Sequence, residues 1–281
     1  GWQYKKLFYE ESFLSVEKIN EVTKPSVSII VISWRLCPEM IVNFQKLSEQ
    51  RAAGFELIFV DNGGAPGEFD QARPYIDTYV KLKKDTGAYV ARNIASLFAK
   101  AEILLFLDDD AIPEKNFVQA HLEQFDNFDV IAVRGGVIPV TDSELNKLAK
   151  HYYLGPKPFP VFCDVECNVS YKAESFFSVG GWDDEIRFGC GGAELALRLI
   201  ELYPDYCKQI YSPEPVIYHD YAHNEEHLKI KRIRQDQSRL RLRKKYPHWD
   251  QFLKSWSIFS GRSELIKLKD STNAMSLIER F

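Results

Sequence analysis

The sequence has no hydrophobic segment long enough to cross a membrane. Its longest apolar runs, at residues 27–32 and 103–107, are far shorter than the roughly 20 residues that a transmembrane helix needs. The first six residues mix lysine with aromatic and polar side chains and lack the apolar stretch of a signal peptide. We therefore expect a cytoplasmic protein.

The chain also has no excess of positive charge. Its 281 residues include 36 Lys and Arg against 40 Asp and Glu, which gives a formal net charge of -4. A nucleic-acid partner is not expected, because proteins that bind nucleic acids usually carry a basic surface. Hydrophobic residues make up 45% of the chain, which is enough for a sizeable core in one large domain or two small ones. The oligomeric state stays open.

Cysteine is scarce. The five cysteines are odd in number and mostly scattered, which fits a reducing compartment better than a disulfide scaffold. Cys163 and Cys167 could form half of a zinc site, but no second pair of Cys or His follows at a suitable spacing. We therefore predict that both are buried thiols.

What the sequence does contain is a strand that ends in three carboxylates. Ile103–Leu107 is an unbroken apolar run, which is typical of a strand covered on both faces. Asp108, Asp109 and Asp110 follow (hereafter the acidic cluster), and Pro113 prevents the strand from continuing. Alternate residues of an extended chain point to the same side, so Asp108 and Asp110 can converge. The cluster is either a solvated acidic turn or a set of ligands for a divalent cation.

Strands and helices alternate through the first half of the chain. The pattern predicts strands at residues 27–33, 55–60, 79–82, 103–107 and 130–133, and helices at 40–51, 88–101 and 114–125. This order indicates a parallel α/β sheet with right-handed crossovers. Ligands of such sheets bind beyond the carboxyl ends of the strands. Arg35, Asp61 and the acidic cluster all follow such ends.

The second half is less regular. A surface helix is predicted at 141–154, strands at 167–171 and 213–218, and a helix that starts near Gly192. Glu194, in the first turn of that helix, is either a helix-start residue stabilised by the helix dipole or a functional carboxylate. His219, directly after the last strand, is either a structural histidine or a metal ligand.

Both ends of the chain carry additional segments. Residues 1–24 are predicted to form an arm that packs on the domain, and residues 248–281 to form further helices. A basic helix is predicted at 225–246, with an apolar stripe of Ile230, Ile233, Gln237 and Leu240. The stripe favours a solvated helix lying on the core. The alternative is peripheral contact with an anionic membrane, at the inner face.

Five segments, taken in order, resemble the family-2 glycosyltransferases of the GT-A fold. They are the opening strand at 25–31, the strand end Phe59–Gly64, the helix start Gly87–Asn93, the Asp-x-Asp motif Leu107–Asp110 and the glycine-rich segment 180–192. The resemblance covers residues 25–220. It implies an α/β GT-A fold with a single Rossmann-like, mixed but mostly parallel sheet flanked by helices, and a helical C-terminal extension.

The resemblance also implies a division of the chain. An N-terminal arm at 1–24 would precede a GT-A domain at 25–222. That domain would comprise a nucleotide-binding half at 25–136 and an acceptor-binding half at 137–222. The helical extension would then span 223–281.

The activity implied by the resemblance is metal-dependent, inverting transfer of a hexose. The donor would be a nucleotide-diphosphate sugar, with a UDP-sugar favoured, and the acceptor a hydroxyl of a glycan or lipid-linked molecule. The implied donor-site residues are Arg35, Asp61, Gly87, Arg92, Asp108 and Asp109, with Asp61 contacting the nucleotide base. Asp110 would hold Mn²⁺ or Mg²⁺, with His219 as a further ligand. The implied acceptor-side residues are Trp182, Asp183, Asp184, Gly191 and Gly192, and Glu194 would be the catalytic base.

One position departs from the family pattern. The family usually has Gly-Gly-Glu-Asp where this chain has Gly191-Gly192-Ala193-Glu194. A non-catalytic sugar-nucleotide-binding module, descended from a glycosyltransferase, is therefore the main alternative. A phosphatase of the haloacid dehalogenase type, a sugar nucleotidyltransferase and a NAD-binding Rossmann protein are disfavoured, because the glycine-containing motifs that they need are missing.

Overall fold

The apolar runs of the sequence form the strands of one sheet. The computed structural model describes residues 2–260. Its strands are β1 Phe13–Lys18, β2 Val27–Ser33, β3 Phe55–Asp61, β4 Thr78–Leu82, β5 Ile103–Leu107, β6 Ile112–Pro113, β7 Ala132–Ile138, β8 Phe159–Pro160, β9 Asn168–Lys172 and β10 Gln209–Tyr218. Its α-helices are α1 Trp2–Glu10, α2 Pro38–Ser48, α3 Ala88–Ser96, α4 Phe117–Asn127, α5 Ala173–Ser178, α6 Gly191–Leu202, α7 Glu225–Lys245 and α8 Trp249–Ser260.

The strand order is β1-β4-β3-β2-β5-β9-β7-β10-β6, and β8 pairs with β10. Strands β4, β3, β2 and β5 run parallel, as do β7 and β10. Strand β9 lies between β5 and β7 and runs antiparallel to both. The predicted mixed α/β sheet flanked by helices is therefore confirmed. Its parallel half brings the carboxyl ends of β2, β3 and β5 to one edge.

The central strands are buried because helices cover both faces of the sheet. Every residue of β3 and β5 is buried. On one face Ile30 and Ile58 join a core with Ile94 of α3. On the other face the core includes Phe44 of α2 and Phe117 of α4. This two-sided burial explains why these strands show no alternation of polar and apolar residues.

The N-terminal arm contributes to the sheet itself. Strand β1 pairs antiparallel with β4 at the sheet edge. Helix α1 places Trp2 against Phe176 and Phe177 and buries Tyr9. Cys163 and Cys167 are free and buried, as predicted.

The predicted surface helix at 141–154 is wrong. This part of the chain has only a short 3-10 turn at Asn146–Leu148. The carboxylate of Asp220 accepts hydrogen bonds from the backbone N–H groups of Val140 and Thr141, at 2.8 and 3.0 Å. The Asn146 side chain donates to the Thr141 carbonyl at 2.7 Å. Side chains thus bind the backbone groups that a helix would have paired.

Helix α7 packs through a different face from the one predicted. Ile230, Ile233 and Leu240 of the apolar stripe are exposed, so the expectation that the stripe lies on the core is wrong. The helix instead buries Leu228, Ser238 and Leu242. No helix within residues 2–260 has the length and hydrophobicity to cross a membrane. The helices predicted beyond α8 fall outside the described residues.

Candidate active site

The acidic cluster lies at the carboxyl edge of the parallel strands. Oxygen atoms of Asp108 and Asp110 and a ring nitrogen of His219 lie within 4.8 Å of one another. His219 Nε2 is 3.1 Å from Asp110 Oδ1. Asp109 is not one of these converging groups; it accepts a hydrogen bond from Ser33 at the end of β2. The structure therefore brings Asp108 and Asp110 together, as the alternation predicts, and adds the histidine that follows β10.

The carboxylates of the cluster affect one another's ionisation. Burial raises the pKa of Asp109 to about 7, and the neighbouring charge of Asp110 adds to this effect. Burial alone would also raise the pKa of Asp110, but hydrogen bonds from His219 and His223 outweigh it and lower that pKa. Burial would lower the pKa of His219, yet Asp110 raises it overall. Contacts with two histidines thus favour the ionised form of Asp110 among the crowded carboxylates.

The donor set of this site fits a divalent cation. Two carboxylates and one imidazole converge on a common point, and His223 Nε2 lies 3.6 Å from Asp110 Oδ2. Carboxylate oxygens suit Mg²⁺ and Mn²⁺, whereas imidazole suits transition metals. Asp108, Asp110 and His219 are therefore the residues that would hold a metal ion.

A cleft of about 540 Å³ opens over the acidic cluster. This volume falls in the range of small-molecule sites. One wall consists of loops after the strands, with Trp34 and Arg35 after β2 and Asn62 after β3. Helix α7 contributes Lys231 and Arg234 to the lining. The cleft therefore contains both cations and the carboxylates of the acidic cluster.

Lys231 is held at the cleft without a carboxylate partner. Its Nζ donates to the Tyr221 carbonyl at 2.9 Å and lies 3.9 Å from the centre of the Tyr221 ring. Within residues 2–260, no ion pair to Lys231 is formed. Burial lowers its pKa. A largely desolvated ammonium group of this kind is suited to binding an anion from the cleft.

Arg92 connects the acidic cluster to a carboxylate that the sequence interpretation did not select. It donates to Asp108 Oδ1 at 2.6 Å and to Glu166 Oε2 at 3.4 Å. Both partners line the cleft. Glu166 lies between Cys163 and Cys167, in the segment that leads into β9. The signal in the sequence is an acidic residue directly before the predicted strand at 167–171.

Four of the residues that the resemblance assigns to a donor site, Arg35, Arg92, Asp108 and Asp109, line the cleft. The predicted contact of Asp61 with a nucleotide base is contradicted. Asp61 is fully buried, its Oδ1 accepts from Gly64 N and its Oδ2 accepts from the Tyr79 hydroxyl, both at 2.7 Å.

Gly87 has a backbone role. Its φ is 86°, and a Cβ there would lie 2.8 Å from Arg187 Cγ. It starts α3 with a conformation that disfavours other residues, and the cleft wall is formed by its neighbours Asp85 and Ala88.

The predicted acceptor-side residues 182–184 lie away from the cleft. Trp182 is fully buried and stacks on Tyr89, with ring centres 5.5 Å apart. Asp183 pairs with Lys245 at 2.8 Å, and Asp184 accepts from the Tyr9 hydroxyl at 2.6 Å. These residues fasten α1 and α7 to the domain, so direct acceptor binding by them is contradicted.

Glu194 does not reach the cleft either. It is fully buried, and its carboxylate accepts from Arg198 Nε at 2.8 Å, from the Tyr246 hydroxyl at 2.6 Å and from Lys245 Nζ at 3.3 Å. Arg198 lies one turn later on α6, whereas Lys245 and Tyr246 come from the end of α7. A base must touch the substrate, so the predicted catalytic role of Glu194 is contradicted.

Gly191 and Gly192 start α6 close to the cleft. The Gly191 N–H donates to the Tyr89 hydroxyl at 2.9 Å, and the Gly192 N–H donates to Glu166 Oε1 at 3.0 Å. They therefore hold Glu166 and Tyr89 in place.

His223 and Lys231 are two further residues of the cleft that the sequence analysis did not predict as site residues. Their signal was the position of α7 directly after His219, which predicts proximity to the strand ends.

Known proteins share parts of this sequence. An uncharacterized glycosyltransferase of Haemophilus influenzae is 33% identical over 92 residues, which are 32% of this chain and 31% of that protein. The uncharacterized glycosyltransferase YfnE of Bacillus subtilis is 27% identical over 115 residues, 38% of this chain and 29% of that one. The match thus spans about a third of the length of these relatives.

Solved structures share the fold. The mannosyltransferase PcManGT from Pyrobaculum calidifontis, in complex with GDP-Man and Mn²⁺, has a TM-score of 0.59 at 16% identity. The alignment covers 99% of this chain and 74% of that one. The S. aureus TarS 1–349 structure in complex with UDP-GlcNAc has a TM-score of 0.53 at 14% identity, over 74% of this chain and 61% of that one. Identities this low show the fold alone, which is the GT-A fold that the resemblance implies.

Sequence comparison assigns the family. Residues 28–178 match the Glycosyl transferase family 2, which is just over half of the chain. The matched part runs from β2 through α5 and contains the acidic cluster and Arg92. The chain is a glycosyltransferase-family protein with a GT-A fold, and it belongs to glycosyl transferase family 2.

Proposed function

We propose that this protein transfers a hexose from a nucleotide-diphosphate sugar to a hydroxyl group of a glycan or lipid-linked acceptor, with inversion at the anomeric carbon. The observation that carries the proposal is the convergence of Asp108, Asp110 and His219 within 4.8 Å, in a cleft that Lys231 and Arg234 also line. A metal site facing fixed cations suits a diphosphate, which can be shared between them.

The walls of the cleft suggest how a donor is oriented. Trp34 is 62% exposed and offers an aromatic face to a nucleobase, with Arg35 beside it at 5.3 Å from the ring centre. The diphosphate would lie between Asp110 and Lys231. Asp108, fixed by Arg92 at 2.6 Å, would contact the ribose or the donor sugar. Asp109 contributes by holding the ends of β2 and β5 together through Ser33.

The mixed donor set favours Mn²⁺, because it includes an imidazole. When bound, such an ion acts as a Lewis acid that neutralises charge on the departing diphosphate. Lys231 and Arg234 add fixed positive charge on the same departing group. Their contribution needs no proton transfer, and burial of Lys231 strengthens it because the local dielectric is low.

Two further cavities support an extended acceptor. One of about 270 Å³ shares Asp108 and Glu166 with the main cleft. A second of about 330 Å³ adjoins it and is lined by Phe162, Phe252 and Leu253. A molecule entering from that side would pass apolar side chains before it reached the carboxylates. This arrangement suits a lipid-linked acceptor or a glycan with an apolar group.

UDP-sugars are the proposed donors, and GDP-mannose is the alternative that the PcManGT complex suggests. Thermal unfolding with UDP or GDP, each with and without Mn²⁺, tests donor binding. Ligand at about 100 times its Kd should add about 2.7 kcal/mol of stability. Hydrolysis of UDP-GlcNAc and GDP-mannose then separates an enzyme from a binding module, since a binding module binds without turnover. Absence of both binding and turnover across UDP-, GDP- and dTDP-sugars would overturn the proposal.

Lys231→Ala tests the role of α7. We expect binding of UDP or GDP with Mn²⁺ to weaken by about 10–100-fold, because a hydrogen bond to a charged group contributes roughly 1.5–3 kcal/mol. Isothermal titration calorimetry measures this directly. Lys229→Ala, an exposed lysine of the same helix, is the matched control and should leave affinity unchanged. Equal affinities of the two variants would remove Lys231 from the donor site.

A further inference from the structure

The burial of Glu194 leaves the proposed reaction without a base at the predicted position. An inverting transfer to a hydroxyl needs a general base that reaches the cleft and can take up one proton, and a carboxylate in that role must keep one oxygen free. Glu194 meets none of these conditions, because its oxygens bind Arg198, Lys245 and Tyr246 inside the protein.

The start of α6 cannot supply another acidic side chain. A Cβ at Gly191 would lie 2.2 Å from the Tyr89 ring, and one at Gly192 would lie 2.8 Å from the Asp164 carbonyl oxygen. Real Cβ atoms do not approach other atoms so closely, so both positions exclude any side chain in this packing. Their backbone N–H groups point to Tyr89 and Glu166 instead. The helix start therefore binds a carboxylate that another segment brings to it.

That carboxylate belongs to Glu166, in the segment that leads into β9. Its Oε1 accepts from the Tyr89 hydroxyl at 2.7 Å and from Gly192 N at 3.0 Å. Its Oε2 has a single long contact among the described residues, 3.4 Å to Arg92 Nη1. The side chain is 20% exposed and lines both the main cleft and the adjoining cavity. One oxygen is thus fixed while the other remains accessible.

Asp164 is the nearest rival, and its geometry is less suitable. Its carboxylate forms an ion pair with Arg134, whose side chain is fully buried. Releasing Asp164 to accept a proton would leave that buried cation unpaired, which is costly. Asp164 also lines the two smaller cavities and not the main cleft above the acidic cluster.

We propose that Glu166, and not Glu194, is the catalytic base of the proposed transfer, on which this inference rests. Glu166 Oε2 takes the proton of the acceptor hydroxyl as its oxygen forms a bond to the anomeric carbon. The bond from that carbon to the diphosphate oxygen breaks, and its electron pair leaves with the nucleoside diphosphate. Tyr89 and Gly192 orient the carboxylate, and Arg92 links its position to that of Asp108.

Glu166→Gln tests the assignment, with water as the acceptor so that the natural acceptor is not needed. With Mn²⁺ and either UDP-GlcNAc or GDP-mannose, whichever the wild type hydrolyses faster, we expect turnover to fall by about 10²–10⁴-fold. Affinity for UDP or GDP should stay within about threefold, because binding of the nucleotide does not require the carboxylate that takes up the acceptor proton. Glu174→Gln, an exposed glutamate of α5, is the matched control and should keep full turnover.

Chemical rescue separates a base from a residue that merely holds Arg92. Added formate should restore part of the turnover of Glu166→Ala, because a small carboxylate can occupy the vacated space. Wild-type turnover in Glu166→Gln would overturn the inference and leave the proposed function standing. A joint loss of nucleotide binding and turnover in that variant, without rescue, would also overturn it. A wild type that binds nucleotide and hydrolyses no donor would overturn it as well, in favour of a binding module.

Discussion

Asp110→Ala is expected to abolish Mn²⁺-dependent binding of UDP and GDP. Asp110 is the one member of the acidic cluster that contacts both His219 and His223, at 3.1 and 3.6 Å, so its removal takes away the centre of the proposed metal site. Loss of residues that only orient metal ligands costs about 10–100-fold in affinity, and loss of a ligand should exceed that. The Tm increase produced by Mn²⁺ with nucleotide should disappear, as measured by thermal unfolding.

The metal-free protein provides the control for this experiment. Removing Asp110 takes away a negative charge that raises the pKa of Asp109, but it also removes the contacts with His219 and His223. The Tm of each variant without metal is therefore its own baseline, and the quantity compared is the increase in Tm that Mn²⁺ with nucleotide produces above that baseline. Asp142→Ala, an exposed aspartate, should keep the Mn²⁺ response. Retention of Mn²⁺-dependent binding by Asp110→Ala would exclude Asp110 from the site.

Glu194→Gln should destabilise the protein by about 3–5 kcal/mol, the usual cost of breaking a buried ion pair. The carboxylate is fully buried and accepts hydrogen bonds from Arg198, Lys245 and Tyr246. The neutral amide of the new glutamine side chain cannot balance the charge of the Arg198 guanidinium, and the Arg198 side chain is only 18% exposed. At about 2–4 °C per kcal/mol for a domain of this size, Tm should fall by roughly 6–20 °C.

The matched control lies on the same helix. Glu201→Gln replaces an exposed glutamate of α6, and its Tm should change little, since exposed substitutions usually stay within about 0.5 kcal/mol. Turnover by Glu194→Gln, assayed below its Tm, should remain within a few-fold of wild type. A wild-type Tm combined with a large loss of turnover would return the catalytic role to Glu194 and argue against Glu166.

Much of the fold follows from local sequence patterns. The run Ile103–Leu107 predicts a strand covered on both faces, and β5 is that strand. The alternation of side chains along an extended chain predicts that Asp108 and Asp110 converge, and the structure confirms it. Asp109, which the alternation turns elsewhere, binds Ser33 but still lines the same cleft. These predictions succeed because the spacing of apolar side chains along a strand, and hence its burial, can be read from adjacent residues.

The errors concern side chains whose environment comes from distant segments. Glu194 was placed correctly at a helix start, yet its direction depends on Lys245 and Tyr246, about fifty positions later in the chain. The stripe Ile230, Ile233 and Leu240 is apolar, but α7 packs by another face, which buries Leu228, Ser238 and Leu242. A helical pattern shows which residues share a face and leaves open which face meets the core.

The sequence by itself determined the alternating strands and helices of residues 25–136, the acidic cluster that follows β5 and the family, because these depend on contiguous motifs. The tertiary structure alone decided which carboxylates reach the cleft. Tyr89 and the Asp164 backbone close the space at Gly191 and Gly192, Glu194 faces buried cations, and Glu166 comes to the helix start from a separate segment. A carboxylate ionises and reacts according to the groups packed around it, and those groups are neighbours in space and not in sequence.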